Sequence, residues 1–244
     1  MKVIKREQLC RSRIATFDDQ LEVRSAPIAG FARRVPPVMS IKGVPVMTPE
    51  KLREIYGPAS PHATAKTLSH FDMHCRHFIE NATFLVVATS DGTDLDVSPK
   101  GDAPGFVKIE NDTTLLVPDR PGNNRIDGLM NILAYPKVAV FFMIPSIAET
   151  LRVNGTAEIS DDPTLCDAFK VNERSPKTVL RITAEEIFIH CGKASIRAGL
   201  WRPETWPESR PIPSMYQIVQ DHSNLEVTST DQSYAEQRYR ETLY

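Results

Sequence analysis

The 244-residue chain carries 29 Lys and Arg against 31 Asp and Glu, a formal charge of −2, and 41% of its residues are hydrophobic. That length can build one large or two small domains with a sizeable core, and the balanced charge excludes a global basic field for nucleic acid or an anionic membrane. Four distant cysteines, Cys10, Cys75, Cys166 and Cys191, form no CxxC pair, which argues against a zinc ribbon or a disulfide framework and fits a reduced, cytoplasmic setting.

The first twenty residues alternate charge with single apolar side chains and lack the apolar core of a signal peptide. Residues 1–46 read as a surface arm, whose IAGFA and VPPVM segments offer something to bury against a partner subunit, and residues 47–244 read as the folded domain. Thr48-Pro49-Glu50 opens a helix with Thr as N-cap and Pro at the first helical position; Leu52, Ile55 and Tyr56 are its expected buried face and Gly57-Pro58 its end. A second helix is expected over Ala63 to Asn81, with Cys75 in the core. His70, His74 and His77 share another face of it; without HExxH or an acidic cluster, a solvated polar face is favoured over a metal site.

Thr83 to Thr89 (TFLVVAT) reads as a strand, Ser90-Asp91-Gly92 as a turn, and Asp94 to Pro99, Phe106 to Ile109 and Thr114 to Val117 as further strands. A short amphipathic helix follows, beginning Asn123-Asn124-Arg125, with Ile126, Leu129, Met130 and Leu133 as its buried face. Its N-terminus would join backbone N–H groups, two side-chain amides and a guanidinium, a seat suited to a phosphate, or else a solvated cap. Val138 to Ile144, Glu149 to Ile159 and Ile187 to Cys191 are the remaining strands, with a helix over Asp162 to Asn172. Val138–Ile144, the longest apolar run, is too short to cross a bilayer. Short strands joined by turns suggest a closed antiparallel barrel, and doubly wound α/β order does not occur. A Pro-rich extended loop, Trp201 to Pro213, with two Trp side chains to bury, leads to closing helices over Ser214 to Gln220 and Gln232 to Tyr244, whose terminal aromatics should dock on a core. No Walker loop, GxGxxG or GxSxG occurs.

Four motifs stand in order: SPKGD from Ser98, PDRPGNNR from Pro118, LRVNG from Leu151 and HCGKASIRAGLW from His190. In this the chain, from about Thr48 to Tyr244, resembles the pyridoxamine 5'-phosphate oxidase-like flavoproteins, and within them a subfamily of FMN-dependent enzymes of unassigned substrate. The resemblance implies a mainly β, α+β fold, the FMN-binding split β-barrel, and a homodimer with FMN at the subunit interface. It implies that Ser98, Pro99 and Lys100 run beside the flavin ring, that Asn123, Asn124 and Arg125 hold the phosphate, and that Pro118, Asp119 and Arg120 lead into that turn. Thr150, Leu151 and Arg152 would pass the cofactor, and Lys193, Arg197 and Trp201 of the second copy would close the site. His190 falls where an aromatic residue borders the flavin in the oxidases proper, and their substrate-gripping residues are not evident, so their substrate does not carry over. The expected activity is an FMN-dependent oxidoreductase acting on a small, planar molecule by hydride transfer through flavin N5, with NAD(P)H a candidate donor. A non-catalytic flavin carrier, sensor or electron-transfer protein is the alternative, and a deazaflavin- or haem-binding split barrel a third.

Overall fold

The structure, a computed structural model, describes residues 47–223 and 225–244 and the backbones of the strands at 21–24 and 38–41. Two compact units divide the chain, residues 1–60 and 61–244. In the first, β1 (Leu21–Arg24) pairs antiparallel with β2 (Val38–Ile41). The rest of the expected arm lies outside the described residues. Helix α1 (Pro49–Tyr56) starts as the sequence dictates: the Thr48 side chain accepts the Lys51 N–H at 3.2 Å, and Gly57 ends it at φ 66°. Its expected buried face is not buried. Leu52, Ile55 and Tyr56 are all exposed.

The second unit is built on one eight-stranded antiparallel sheet. The expected long helix before it is broken: α2 (Pro61–Thr64) is one turn, β3 (Thr67–Leu68) follows, and α3 spans only Met73–Asn81. The break is made by Asp72, whose carboxylate accepts the Cys75 N–H at 2.8 Å and restarts the helix. His70 therefore precedes the helix, while His74 and His77 are exposed on it. Among the described residues no group of three His, Cys, Asp or Glu side chains could hold a metal. Cys75 is buried, as expected.

The remaining strands are β4 (Phe84–Ser90), β5 (Leu95–Gly101), β6 (Lys108–Ile109), β7 (Thr114–Asp119), β8 (Lys137–Met143), β9 (Thr150–Ser160) and β10 (Thr178–His190). Their order is β5-β4-β8-β9-β10-β7-β6, with β3 paired to β10. The ladder leaves β5 and β6 as edges, so the sheet is open where a closed barrel was expected. β10 is thirteen residues long, not five; Leu180, Ile182 and Ala184 alternate inward before the bulge at Ala184/Glu186, which flips the pattern to Ile187. Leu85, Val87, Val140, Phe142, Leu151, Val153 and Ile187 line the core face together with Phe71, Cys75 and Ile79 at α3.

Helix α4 (Asp127–Ala134) starts four residues later than expected. Asn124 at φ 56° and Ile126 at φ 55° are left-handed, which prevents helix through the Asn123–Arg125 segment. The face turned inward also differs: Ile132 is buried and Leu129 half-buried, but Ile126, Met130 and Leu133 are exposed. The reason is polar. A Cβ on Gly128 would come within 3.0 Å of the Asp96 carboxylate, and the Asn131 amide donates to Thr89 Oγ1 at 3.2 Å, so the small and amide-bearing face meets the sheet.

Helix α5 is short (Pro163–Asp167, capped by Asp162), because Asn172 and Glu173 at φ 49° and 60° turn the chain where a longer helix was expected. After β10 come α6 (Lys193–Ala198), α7 (Met215–His222, capped by Ser214) and α8 (Gln232–Glu241). The Pro-rich loop holds one 3-10 turn, Pro203–Thr205, and its Trp206 is exposed against expectation. Among the described residues no helix is long and apolar enough to cross a membrane.

Candidate functional site

Continuous apolar strands are buried on both faces, and β4 and β8 have that character but are covered on one face only; β5 alternates, with its apolar residues on the uncovered face. Register puts Val97 and Pro99 of β5 beside Ala88 and Val86 of β4, with Ala139 and Phe141 of β8 beyond them; Phe84 lies between Gly101 of β5 and Met143 of β8, and Leu95 is opposite Ser90. Apart from Ser90 and Gly101 these residues are apolar, and Leu95 and Val97 are 82% and 63% exposed. On β9 and β10 the same face turns polar. Arg152 is in register with both Phe141 and Phe188, and His190 with Thr150.

Around Arg152 the geometry is tight. Its Nη2 donates to Glu186 Oε1, which also accepts from Asn154, and its guanidinium stands 5.4 Å from the Phe188 ring centre. The His190 ring lies 4.9 Å from Phe188 and 5.8 Å from Phe141. Two buried polar atoms here, Arg152 Nε and His190 Nε2, have no partner, an arrangement that invites an external acceptor or donor. Burial, then the charges of Arg152 and Lys66, hold the imidazole below the usual histidine range, so it is neutral near pH 7.

A second constellation gathers at the ends of β5 and β7. Lys100 Nζ meets Asp119 Oδ1 at 2.5 Å, both partly buried. Arg120 donates from Nε to Asp102 Oδ2 at 2.7 Å and from Nη1 to the Phe169 carbonyl at 2.6 Å. Arg120 is thus committed to the protein, and Pro118 is buried in β7. The turn that follows is exposed: the Asn123 side chain accepts the Arg125 N–H at 3.0 Å, Lys177 Nζ lies 3.5 Å from Asn124 Oδ1, and Arg125 Nε donates to Asp127 at 2.8 Å. Among the described residues the main-chain N–H groups of Asp127 and Gly128 have no partner.

The structure therefore brings Lys100, Asp119 and Arg120 together, and ties Asn124 to the start of β10 through Lys177. Ser98 faces the core side, donating to Asp96 at 2.9 Å, while Pro99 faces the open apolar side. Thr150 and Leu151 are buried at the start of β9. Lys193 and Arg197 are exposed on α6, and Trp201 donates its indole N–H to the Ile147 carbonyl at 2.8 Å. Sequence reasoning missed Phe141, Phe188, Glu186 and Asp102. Asp102 was visible in SPKGD as a charge at a strand end; the others needed the register.

The thiols differ in the same way. The Lys193 N–H, with the Lys193 and Lys66 charges, draws the exposed Cys191 below the usual thiol range, whereas burial pushes Cys75 up to about 12. Iodoacetamide at pH 8 should alkylate Cys191 at least about tenfold faster than Cys75; equal rates in a peptide map would contradict the packing of α3.

The family model described as pyridoxamine 5'-phosphate oxidase matches residues 71–191. Among solved structures, HupZ of Group A Streptococcus shows 26% identity, covering 48% of this chain and 92% of that chain, with a TM-score of 0.39. General stress protein 26 of Bacillus anthracis shows 17% identity over 47% of this chain and 88% of that chain, TM-score 0.37. A FAD-binding protein of Mesorhizobium loti shows 18% identity over 50% and 93% of the two chains, TM-score 0.36. No curated protein matches.

Proposed function

Since the chain belongs, through residues 71–191, to the pyridoxamine 5'-phosphate oxidase family, we propose that it is an FMN-dependent oxidoreductase acting on a small, planar molecule at an interface between two copies. The observation that carries this reading is the apolar outer face of β4, β5 and β8, joined on one sheet to the unpartnered polar atoms of Arg152 and His190. An apolar surface of that extent asks for a cover, and a second copy supplies one of the same character.

The donor set suits the phosphate of FMN. Arg125 is an exposed side chain whose Nε meets Asp127, the Asp127 and Gly128 N–H groups stand at the positive end of α4, and Lys177 is alongside. Asp127 is an opposing charge, and it must yield Arg125 to the phosphate. Arg152 would supply positive charge to the electron-rich edge of the ring system, while neutral His190 would pack as an aromatic neighbour. Bound FMN would supply two-electron redox chemistry, so no side-chain nucleophile is required. The residues' work is to bind, orient and exclude water.

The reading can be tested directly. Purified protein loaded with excess FMN and desalted should keep about one flavin per chain, and light scattering should give twice the chain mass; a colourless monomer would sink the reading. Arg125→Ala should weaken FMN binding about tenfold or more, the worth of one charge-assisted contact, without changing the unfolding midpoint, since Arg125 is an exposed side chain. Bleaching of the bound flavin by NAD(P)H would separate an enzyme from a carrier.

A further inference from the structure

Tyr244 makes the longest-range polar contact of the second unit. Its hydroxyl donates to Asp102 Oδ1 at 2.6 Å, across 142 positions of sequence. The other oxygen of Asp102 takes Arg120 Nε, and the Arg120 guanidinium lies 5.6 Å from the centre of the Tyr244 ring. Arg174 Nη1 donates to the Tyr244 main-chain oxygen. One residue is therefore gripped at its ring, its hydroxyl and its backbone. Asp102 is only 4% exposed at its side chain, so a buried carboxylate sits at the centre of the grip.

The location gives the grip its meaning. Asp102 follows Gly101 at the end of β5, next to Lys100, and Arg120 follows Asp119 at the end of β7; Lys100 and Asp119 are themselves paired. Arg174 stands three residues before Lys177, which contacts Asn124 in the exposed turn. The residues that follow β5 and β7, Asp102 and Arg120, thus touch Tyr244 directly, and Arg174, four residues before β10, holds its main chain.

We propose that Tyr244 is a positioning residue for the anion seat: it holds Asp102 on Arg120, fixes the ends of β5 and β7, and so couples docking of the chain segment after α8 to ligand binding. This rests on the FMN reading of the same site. Alone, Arg120 would be free to swing between Asp102 and any nearby phosphate. Held by Asp102, the Phe169 carbonyl and the Tyr244 ring, it stays a strut, and the phosphate is left to Arg125, Lys177 and the N-terminus of α4. Coupling of this kind is reciprocal: whatever factor Tyr244 adds to FMN affinity, FMN must add to docking of the tail.

The test reads both directions. Tyr244→Phe removes one hydrogen bond and keeps the ring; its FMN dissociation constant should rise about five- to tenfold, and Tyr244→Ala should raise it further. In the wild type, saturating FMN should slow trypsin cleavage at Arg238 and Arg240, both exposed on α8, by the same factor, and that protection should shrink in both variants. A purely structural tyrosine would change stability and leave protection by FMN equal in all three. FMN bound by the wild type with tail cleavage unchanged overturns this inference alone. A wild type that binds no FMN overturns it together with the proposed function.

Discussion

Arg120→Ala is expected to lower the unfolding free energy by about 3–5 kcal/mol, the cost of leaving a buried charge without its partner. Asp102 and Arg120 are 4% and 15% exposed at their side chains, so water cannot take the lost partner's place. The Phe169 carbonyl also loses its donor and the Tyr244 ring its cation. Arg120→Lys should recover only part of this, because one ammonium cannot reach both Asp102 and Phe169 as the planar fork does. Urea unfolding should show a lower midpoint at unchanged slope; a midpoint within error of wild type would contradict the buried pair. Acid gives a second reading. Burial raises the Asp102 pKa, but the Tyr244 hydroxyl, the Ala103 N–H and Arg120 outweigh it and hold the carboxyl below its ordinary value. A carboxyl depressed in the folded state stabilises above its unfolded pKa, and that stability is lost as pH falls through the folded value. Wild type should therefore lose stability below about pH 4, and Arg120→Ala should show a shallower acid limb.

Gly155→Ala is expected to cost about 3 kcal/mol or more. A Cβ at Gly155 would lie 2.0 Å from the Thr183 carbonyl oxygen and 2.9 Å from its carbon, both main-chain atoms that cannot rotate away. Gly155 pairs with Ala184 at the start of the β10 bulge, where the β10 backbone leaves no room for a side chain on β9. Relief requires β9 and β10 to part, and with them the register that puts Arg152 beside Phe188. Gly122→Ala is the control, since its Cβ would meet nothing within 4 Å. If thermal unfolding gave both variants the same midpoint, the close approach would be refuted.

Much of this fold was legible because strands and caps are local. Thr48 caps α1 as expected, the helices expected from Asp162 and Ser214 begin one residue later with those residues as caps, and the apolar runs of β4, β7 and β8 fell within a residue or two of their places. Where the pattern misled, a local cap, a left-handed backbone or a distant contact chose against it. Ile126 adopts φ 55°, which no β-branched residue favours, and this delayed α4. Helical spacing alone nominated Ile126, Met130 and Leu133 for burial; Gly128 and Asn131, meeting Asp96 and Thr89, turned that stripe outward. At the candidate site the same limit applies. The exposed turn at Asn123–Arg125 was readable from its residues, whereas the commitment of Arg120 to Asp102 and Tyr244 joins three distant segments and leaves no local trace.

Pro99 has a consequence for how copies of this chain meet. β5 is an edge of an open sheet, the kind of border along which a strand of another molecule adds and leaves a new edge for the next. Growth by that route has no natural end. Pro99 removes one donor from the border, and the partly buried Asp96 and Lys100 put charge on its inward side. Contact at the rim is thereby disfavoured relative to the apolar side of β4, β5 and β8, the face on which the proposed pairing of two copies would close. A single imino acid in the SPK motif thus weakens this rim as a place for strand addition.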